Sequence, residues 1–437
     1  MGNEDKQGVE SSVGRRSVLI GAGTLGMTAL LAACGGGDGN KSEKVAVPSD
    51  VETKTAKLGF IALTDAAPLI MAKELGLFAK YGMPDVQVAK QANWAATRDN
   101  LALGSGAGGV DGAHILTPMP YFLTLGSNGK PTPISILARL NTNGQGISVE
   151  KAYLAAKADL DAAKMKAIIA DKKAGGSKIT MAMTFPGGTH DLWIRYWLAA
   201  AGINPESDVE LITIPPPQMV ANMKAKTMEA FCVGEPWNAQ LVAQNIGYTA
   251  VSTGQLWQDH PEKSFAMRSD WIEKHPKAAV ALTAAIIEAQ QWCDKRENID
   301  KMAETIGGRD YLKVPPADIK DRLAGLFKMG DGREIKDAPF RMKFWADNAS
   351  FPFKSHDMWF LVENQRWGKL PADLDRTAVI AKVNRADIWR KAAALAGVAE
   401  ADIPTDDSRG QEKFFDGKVF DPGNPAAYLE SLAIKKA

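Results

Sequence analysis

The sequence predicts an α/β fold made of two lobes, followed by a helical C-terminal extension. Between residues 56 and 258, short apolar runs alternate with helical stretches, which is typical of α/β layers with mainly parallel sheets. Beyond about residue 276 the pattern changes to long helical runs. The chain has 437 residues, 45% hydrophobic and 24% charged. That length is enough for roughly two or three domains with substantial cores.

The individual elements follow from these runs in chain order. The predicted strands cover residues 57–63, 86–90, 134–139, 178–183, 209–214, 228–233 and 248–252. The predicted helices cover residues 68–80, 94–103, 191–201, 218–226, 277–294, 297–306, 316–327 and 376–396. We expect residues 56–142 to form the first part of lobe 1 and residues 143–258 to form lobe 2. Residues 259–437 then return to lobe 1 and add the helical extension.

The first 33 residues have the features of an export signal. Arg15 and Arg16 form a twin arginine, residues 17–33 carry no charge, and the stretch ends in Leu-Ala-Ala before Cys34. This order is typical of a twin-arginine signal followed by a lipoprotein cleavage box. The alternative, a membrane-spanning helix, is disfavoured by the short length and the glycines of the stretch. We expect lipidation at Cys34 and a flexible tether over residues 34–55.

The charge balance and the motif content exclude several functional classes. Lys plus Arg is 52 and Asp plus Glu is 51, which argues against nucleic-acid binding through a general basic field. The sequence has no GxSxG motif and no dinucleotide-binding GxGxxG, and its five histidines are scattered. We therefore expect no catalysis, no cofactor and no metal. For Cys232 and Cys293 we favour two reduced, buried thiols over a single disulfide.

Four segments are candidates for a small-molecule site, and each has a plainer interpretation. Trp94 follows a strand and could present its ring face to a cleft, or it could pack in the core. Gln145 stands between two glycines, where the backbone can approach a ligand or simply turn. In TFPGGTHD (184–191), Thr189 could cap a helix and His190 could donate a hydrogen bond near an anion-attracting helix N-terminus. Lys263 could supply a cation or be a solvated surface residue.

Together these groups suit a small planar anion. They offer an aromatic face for stacking and in-plane donors for its oxygens, and an interlobe cleft would strengthen each charge-assisted hydrogen bond by removing water. Longer strings then identify a family. The strings are AGGVDGAHILTPMPYFLTLG (107–126), FPGGTHDLWIRYWLAAAGINP (185–205), PPPQMVANMKAKTMEAF (215–231), CVGEPWN (232–238) and FPFKSHDMWFL (351–361). They closely resemble the nitrate-binding lipoproteins of bacterial nitrate/nitrite ABC importers, over residues 56–430.

The resemblance implies a type II periplasmic binding-protein fold with an interlobe cleft. It also implies that the anion is held by four residues, which fall on Trp94, Gln145, His190 and Lys263. The bicarbonate binders of the same family are similar but carry Thr where this chain has His190, which favours nitrate here. A donor suits nitrate, whereas bicarbonate needs an acceptor for its hydroxyl. Further residues of the family strings are expected to be structural or to support the site: Gly108, Gly109, Gly188, Thr189 and Glu235.

The expected protein is thus a monomeric, exported and lipid-anchored binding protein for nitrate and nitrite. Its partners would be the permease and ATPase subunits of an ABC importer and, through Cys34, a membrane. Position 35 is Gly, so no aspartate retention mark identifies which membrane holds the lipid. The alternatives are a bicarbonate or sulfonate binder of the same fold, a nitrate sensor, and an enzyme resembling pyrimidine-precursor synthases.

Overall fold

The computed structural model describes residues 50–127 and 129–435. The predicted export signal, Cys34 and most of the predicted tether lie outside the described residues. Within the part that is described, no helix is both long and apolar enough to cross a membrane. The described end of the predicted tether is fixed in place, because Glu52 accepts hydrogen bonds from the backbone amides of Lys277 and Ala278 at 3.0 Å each.

The first of two five-stranded sheets contains the N-terminal strands and one returning strand. In chain order the elements are β1 (Thr55–Phe60), α1 (Ala67–Glu74), α2 (Leu77–Lys80), β2 (Asp85–Lys90), α3 (Trp94–Leu103), β3 (Gly112–Leu116), α4 (Met119–Leu125) and β4 (Ile134–Arg139). The strands lie in the order β2, β1, β3, the returning strand, β4. The returning strand, Lys263–Arg268, is antiparallel to both of its neighbours, and the other four share one direction.

The second sheet has the same plan. Its elements are β5 (Gln145–Glu150), α5 (Lys166–Ala174), β6 (Ile179–Met183), α6 (Thr189–Ala200), β7 (Val209–Thr213), α7 (Met219–Lys224), β8 (Ala230–Gly234), α8 (Trp237–Ala243), β9 (Gly247–Ser252) and α9 (Thr253–Leu256). The strands lie in the order β7, β6, β8, β5, β9, and only β5 runs against the rest. The returning strand of the first sheet follows as β10 (Lys263–Arg268).

The two chain segments that join the sheets form a paired hinge. Segments 140–143 and 260–263 run side by side: the amide of Leu140 donates to the carbonyl of Lys263 at 2.7 Å, and two further backbone hydrogen bonds measure 3.0 and 3.2 Å. Gln145 begins β5 two residues after the first segment, and Lys263, the last residue of the second segment, begins β10. Pairing of the crossings therefore brings together two residues that are 118 positions apart.

The C-terminal region packs on both sheets. Its elements are α10 (Ser269–Lys274), α11 (Pro276–Cys293), α12 (Ile299–Ile306), α13 (Ala317–Ala324), β11 (Phe327–Lys328), β12 (Glu334–Ile335), α14 (Lys354–Arg366), α15 (Arg376–Val383), α16 (Ala386–Leu395), β13 (Glu412–Lys413), β14 (Val419–Phe420) and α17 (Pro425–Ser431). Helix α14 reaches both cores. Asp357 pairs with Arg139 of β4 at 2.5 Å, while Trp359 stacks on Trp193 of α6 with ring centres 5.0 Å apart.

Several sequence predictions need correction. Strands β3, β5 and β10 and helix α14 were not predicted from the sequence. The three strands are buried on both faces, so they lack the alternation that marks a half-exposed strand, and they carry buried polar residues. The predicted helix 68–80 ends early because Gly76 adopts φ 69°. The predicted helix 376–396 is two helices, separated at residues 384–385.

Candidate functional site

The four residues predicted to hold a ligand converge beside the hinge. Trp94 is the first residue of α3, Gln145 begins β5, His190 lies in the first turn of α6, and Lys263 begins β10. All four side chains are buried. The Gln145 amide oxygen is 2.7 Å from His190 Nε2 and 3.5 Å from Lys263 Nζ. Lys263 Nζ lies 5.9 Å from the centre of the Trp94 ring. The residues therefore form one contiguous cluster.

Local backbone features set two of these positions. The side chain of Asn93 caps α3 by accepting a hydrogen bond from the Ala96 amide at 2.8 Å, which fixes Trp94 in the first turn. Helix α6 is capped by Gly188, where an added Cβ would lie 2.7 Å from a methyl carbon of Leu116. A glycine here lets α6 begin against the first sheet. The prediction that Thr189 caps the helix is wrong, because its hydroxyl donates instead to the Glu262 carboxylate.

The orientation of Gln145 determines the proton position on His190. Gln145 Nε2 donates to Asp65 Oδ2 at 3.1 Å, so the amide oxygen faces His190. An amide oxygen only accepts, and His190 Nε2 must therefore carry the proton. The other ring nitrogen accepts from the Thr184 hydroxyl at 2.5 Å. Burial, followed by the charge of Lys263, lowers the pKa of His190 well below its ordinary value. His190 is thus a neutral donor.

Lys263 is the centre of a buried ion cluster that the sequence did not indicate. Its Nζ lies 3.0 Å from Asp65 Oδ2 and 2.8 Å from Glu262 Oε1, and all three side chains are fully buried. Burial alone would lower the pKa of Lys263, but the two carboxylates raise it above its ordinary value. Burial would likewise raise the pKa of Asp65, yet Lys263 and His114 hold it well below its ordinary value. The ammonium and the Asp65 carboxylate therefore both stay charged.

Four site residues were missed by sequence reasoning: Asp65, His114, Trp193 and Glu262. His114 Nε2 contacts Asp65 Oδ1 at 2.7 Å, and the indole N–H of Trp193 donates to Glu262 Oε2 at 2.7 Å. Only Glu262 carried a usable signal, since it stands next to Lys263. The others come from β3, α6 and the loop after β1, and nothing in the sequence pairs them.

Trp94 differs from the other buried tryptophans in its indole N–H. That nitrogen has no hydrogen-bond partner among the described residues. The corresponding groups of seven others donate to protein acceptors: Trp193, Trp197, Trp237, Trp257, Trp359, Trp367 and Trp389. A buried donor without a partner costs about 1–3 kcal/mol, so the Trp94 N–H requires an explanation, and a hydrogen bond to a bound ligand would supply one. The sequence pointed to the ring face, and the structure adds the N–H as a donor.

The remaining predicted positions surround the cluster or support the scaffold. Glu235 links the two sheets, because its carbonyl accepts from the Thr64 amide at 2.8 Å and its amide donates to the Gly144 carbonyl at 3.0 Å. Its carboxylate lies 3.2 Å from Arg322. Gly109 packs against α3, where an added Cβ would stand 2.1 Å from the Asn100 carbonyl oxygen. Gly108 is exposed. Both glycines therefore shape the loop before β3.

The cluster offers three hydrogen-bond donors that an anion could use, beside the Asp65 and Glu262 carboxylates that pair with Lys263. It combines an ammonium, an imidazole N–H and an indole N–H in a buried place, next to the first turns of α3 and α6. Among the described residues, no group of three or more His, Cys, Asp or Glu side chains is arranged to hold a metal ion. Cys232 and Cys293 are free and buried, as predicted, and burial raises their pKa values well above the ordinary range. Neither thiol is thus activated as a nucleophile.

Comparison with known proteins identifies close relatives. Residues 49–307 match the model of the NMT1-like family. The chain is 55% identical to the nitrate/nitrite binding protein NrtA of Synechococcus elongatus, covering 97% of this chain and 99% of the relative. It is 43% identical to the bicarbonate-binding protein CmpA of the same organism, with the same two coverages.

Two further matches concern the fold and the transport system. The crystal structure of the periplasmic nitrate-binding protein NrtA from Synechocystis PCC 6803 superimposes with a TM-score of 0.85 at 58% identity, covering 87% of this chain and 99% of that one. The nitrate import ATP-binding protein NrtC of Synechocystis is 32% identical to this chain. The alignment covers 87% of this chain and 55% of that protein.

Proposed function

The chain belongs to the NMT1-like family and to its nitrate- and bicarbonate-binding proteins, and from this premise we propose that it captures nitrate, and nitrite, outside the cytoplasm for an ABC importer. The relatives with the highest identity reported above are nitrate/nitrite binding proteins rather than enzymes. The observation that carries the proposal is the buried donor set around Lys263, in which the Trp94 N–H has no partner among the described residues.

Nitrate binding would exchange contacts within this cluster. His190 Nε2 and Lys263 Nζ both point at the Gln145 amide oxygen, at 2.7 and 3.5 Å. An anion placed among them takes over these two donors with its oxygens and adds the N–H of Trp94. An anion that accepts from this in-plane N–H lies at the edge of the Trp94 indole ring rather than against its face. Each of these hydrogen bonds would be shielded from water and charge-assisted. Charge assistance makes a hydrogen bond roughly twice as strong as one between neutral groups.

Capture and release would follow from motion at the paired hinge. Gln145 and His190 belong to the second sheet and its helices, whereas Trp94 and Lys263 belong to the first sheet and its helices. A ligand that contacts both groups binds the closed arrangement more tightly than an open one, and that difference in affinity drives closure. Contact with the membrane subunits would reopen the lobes and release the anion.

The same proposal covers the location and the partners. We propose that residues 1–33 direct export, that Cys34 carries the lipid, and that residues 34–55 separate the lipid from the lobes. The monomeric protein would then present nitrate to a permease and an ATPase. The boundaries proposed for the lobes remain 56–142 with 259–437, and 143–258.

Calorimetric titration of the purified protein with nitrate, nitrite, bicarbonate and taurine tests the function. We expect binding of nitrate, or of nitrate and nitrite, with little response to bicarbonate or taurine. Preference for bicarbonate would contradict the argument from His190. A preference for taurine would contradict the proposal that the site holds a small planar anion. Absence of binding with all four ligands would contradict the proposed function.

Bicarbonate is the second candidate, and one observation favours it. Two carboxylates, Asp65 and Glu262, lie within 3.0 Å of Lys263 Nζ, where a hydroxyl of the ligand could find an acceptor. Nitrate has no proton to donate and gains nothing from them. Preference for nitrate therefore requires that these carboxylate oxygens be occupied by protein donors.

A further inference from the structure

We propose that Thr189 determines the preference of the site for an anion without a hydroxyl, because its own hydroxyl occupies the Glu262 oxygen that faces the ligand. This inference rests on the proposed function, since it concerns how the same site distinguishes nitrate from bicarbonate. Thr189 acts through Glu262 and is a positioning residue. The class of ligand that it disfavours is the protonated planar oxyanion.

The geometry places Glu262 Oε1 beside the proposed ligand position. This oxygen lies 2.8 Å from Lys263 Nζ and 3.9 Å from His190 Nε2, the two donors proposed to hold the anion. A ligand that contacts both donors is therefore within reach of Glu262. Asp65 is also close to one of these donors: its Oδ2 lies 3.0 Å from Lys263 Nζ, and it accepts from Gln145 Nε2 at 3.1 Å.

Protein donors occupy both carboxylates. Asp65 is contacted by His114, Gln145 and Lys263. Glu262 accepts from the Thr189 hydroxyl, from Lys263 and from the indole N–H of Trp193. Each of the four carboxylate oxygens thus has at least one protein donor. A hydroxyl on the ligand would have to compete with these donors for an acceptor.

This arrangement affects the two anions differently. Nitrate and nitrite only accept hydrogen bonds. Their binding free energy is therefore unaffected when protein donors already occupy the carboxylate oxygens. Bicarbonate must bury an O–H, and a buried donor without an acceptor loses about 1–3 kcal/mol. A site whose buried groups cannot pair with one polar group of a ligand discriminates strongly against that ligand.

Thr189 is the donor whose removal gives the cleanest test. Its replacement by valine keeps the shape of the side chain and removes only the hydroxyl. Thr117 provides a matched control, because it is also fully buried but its hydroxyl donates to the Glu262 carbonyl and contacts the Ser264 hydroxyl. Thr117→Val therefore removes a buried hydroxyl near the same segment without freeing a carboxylate oxygen.

The experiment titrates the wild type, Thr189→Val, Thr189→Ser and Thr117→Val with nitrate, bicarbonate and formate. Formate is a planar anion that has no hydroxyl. In Thr189→Val we expect bicarbonate affinity relative to nitrate to rise about tenfold, the equivalent of one hydrogen bond gained. The ratio of formate to nitrate should stay constant. Thr189→Ser retains the hydroxyl and should keep the wild-type ratios, as should Thr117→Val.

The outcomes separate the two proposals. An unchanged bicarbonate-to-nitrate ratio in folded Thr189→Val, or an equal change in Thr117→Val, would overturn the role of Thr189. A parallel rise for formate would also overturn it, because that change is independent of a hydroxyl. If Thr189→Val does not fold, Thr189→Ala removes the same hydroxyl and gives the same test. Failure of the wild type to bind nitrate would instead refute the proposed function.

Discussion

Replacing Trp94 by phenylalanine separates its ligand role from a core role. The change keeps an aromatic face beside Lys263, 5.9 Å from the ring centre in the wild type, and deletes the indole N–H. That N–H contacts no acceptor in the described part of the chain. Its removal therefore breaks no hydrogen bond within the protein that the structure describes. If this N–H donates to the bound anion, its loss lowers the stability of the complex and leaves the hydrogen bonds of the free protein unchanged.

The expected magnitude follows from the chemistry of that contact. A hydrogen bond to a charged group contributes about 1.5–3 kcal/mol. Its loss should raise the dissociation constant for nitrate roughly 10- to 150-fold. The free energy of unfolding without ligand should fall only by the cost of the smaller side chain, on the order of 1–3 kcal/mol. The stabilisation that nitrate adds should fall in parallel with the affinity.

Calorimetry and thermal unfolding with and without nitrate measure both quantities. Trp389→Phe is the control, because Trp389 is also buried but its N–H donates to the Ser350 hydroxyl at 2.9 Å. We expect the control to lose stability and to keep its nitrate affinity. Near-normal nitrate affinity in folded Trp94→Phe would refute the donor argument. A similar affinity loss in Trp389→Phe would show that general destabilisation causes the effect.

Three other predictions concern the same cluster. His190→Thr should weaken nitrate binding roughly 10- to 150-fold in calorimetry, because the imidazole donor is lost. Unchanged nitrate affinity would show that His190 does not contact the ligand. In Gly234→Ala the new Cβ would stand 2.6 Å from the Gln145 amide oxygen, so nitrate affinity should fall at least about tenfold; Gly106→Ala, where nothing lies within 4 Å, should leave it unchanged. Burial raises the pKa of Glu262 above its ordinary value. A carboxyl with a raised pKa stabilises the fold at low pH and loses that contribution as the pH rises through its pKa in the folded protein. Denaturant unfolding between about pH 4 and 7 should therefore show Glu262→Gln gaining stability relative to the wild type as pH rises, and a constant difference would contradict this sign.

The polar residues of the site explain both what sequence reasoning found and what it missed. Trp94, Gln145, His190 and Lys263 followed from turn chemistry and from the family strings, and the structure brings all four together. Their roles as ligand contacts stay predictions. Strands β3, β5 and β10 were missed because they bury polar side chains in central positions, which breaks the apolar pattern of a strand.

The sequence by itself determined the layer type, most outer strands and the family, because these depend on local periodicity and on long matching strings. Helix α3 was predicted with its observed bounds, and in the structure Asn93 caps it and Gly104 ends it. The tertiary structure alone decided that Asp65 is a partner of Lys263. Asp65 and Glu262 lie in segments nearly 200 residues apart in sequence, on the loop after β1 and at the second crossing. Asp65 reaches the ammonium because β1 and β10 both flank β3 in the first sheet, a long-range arrangement that no local signal specifies.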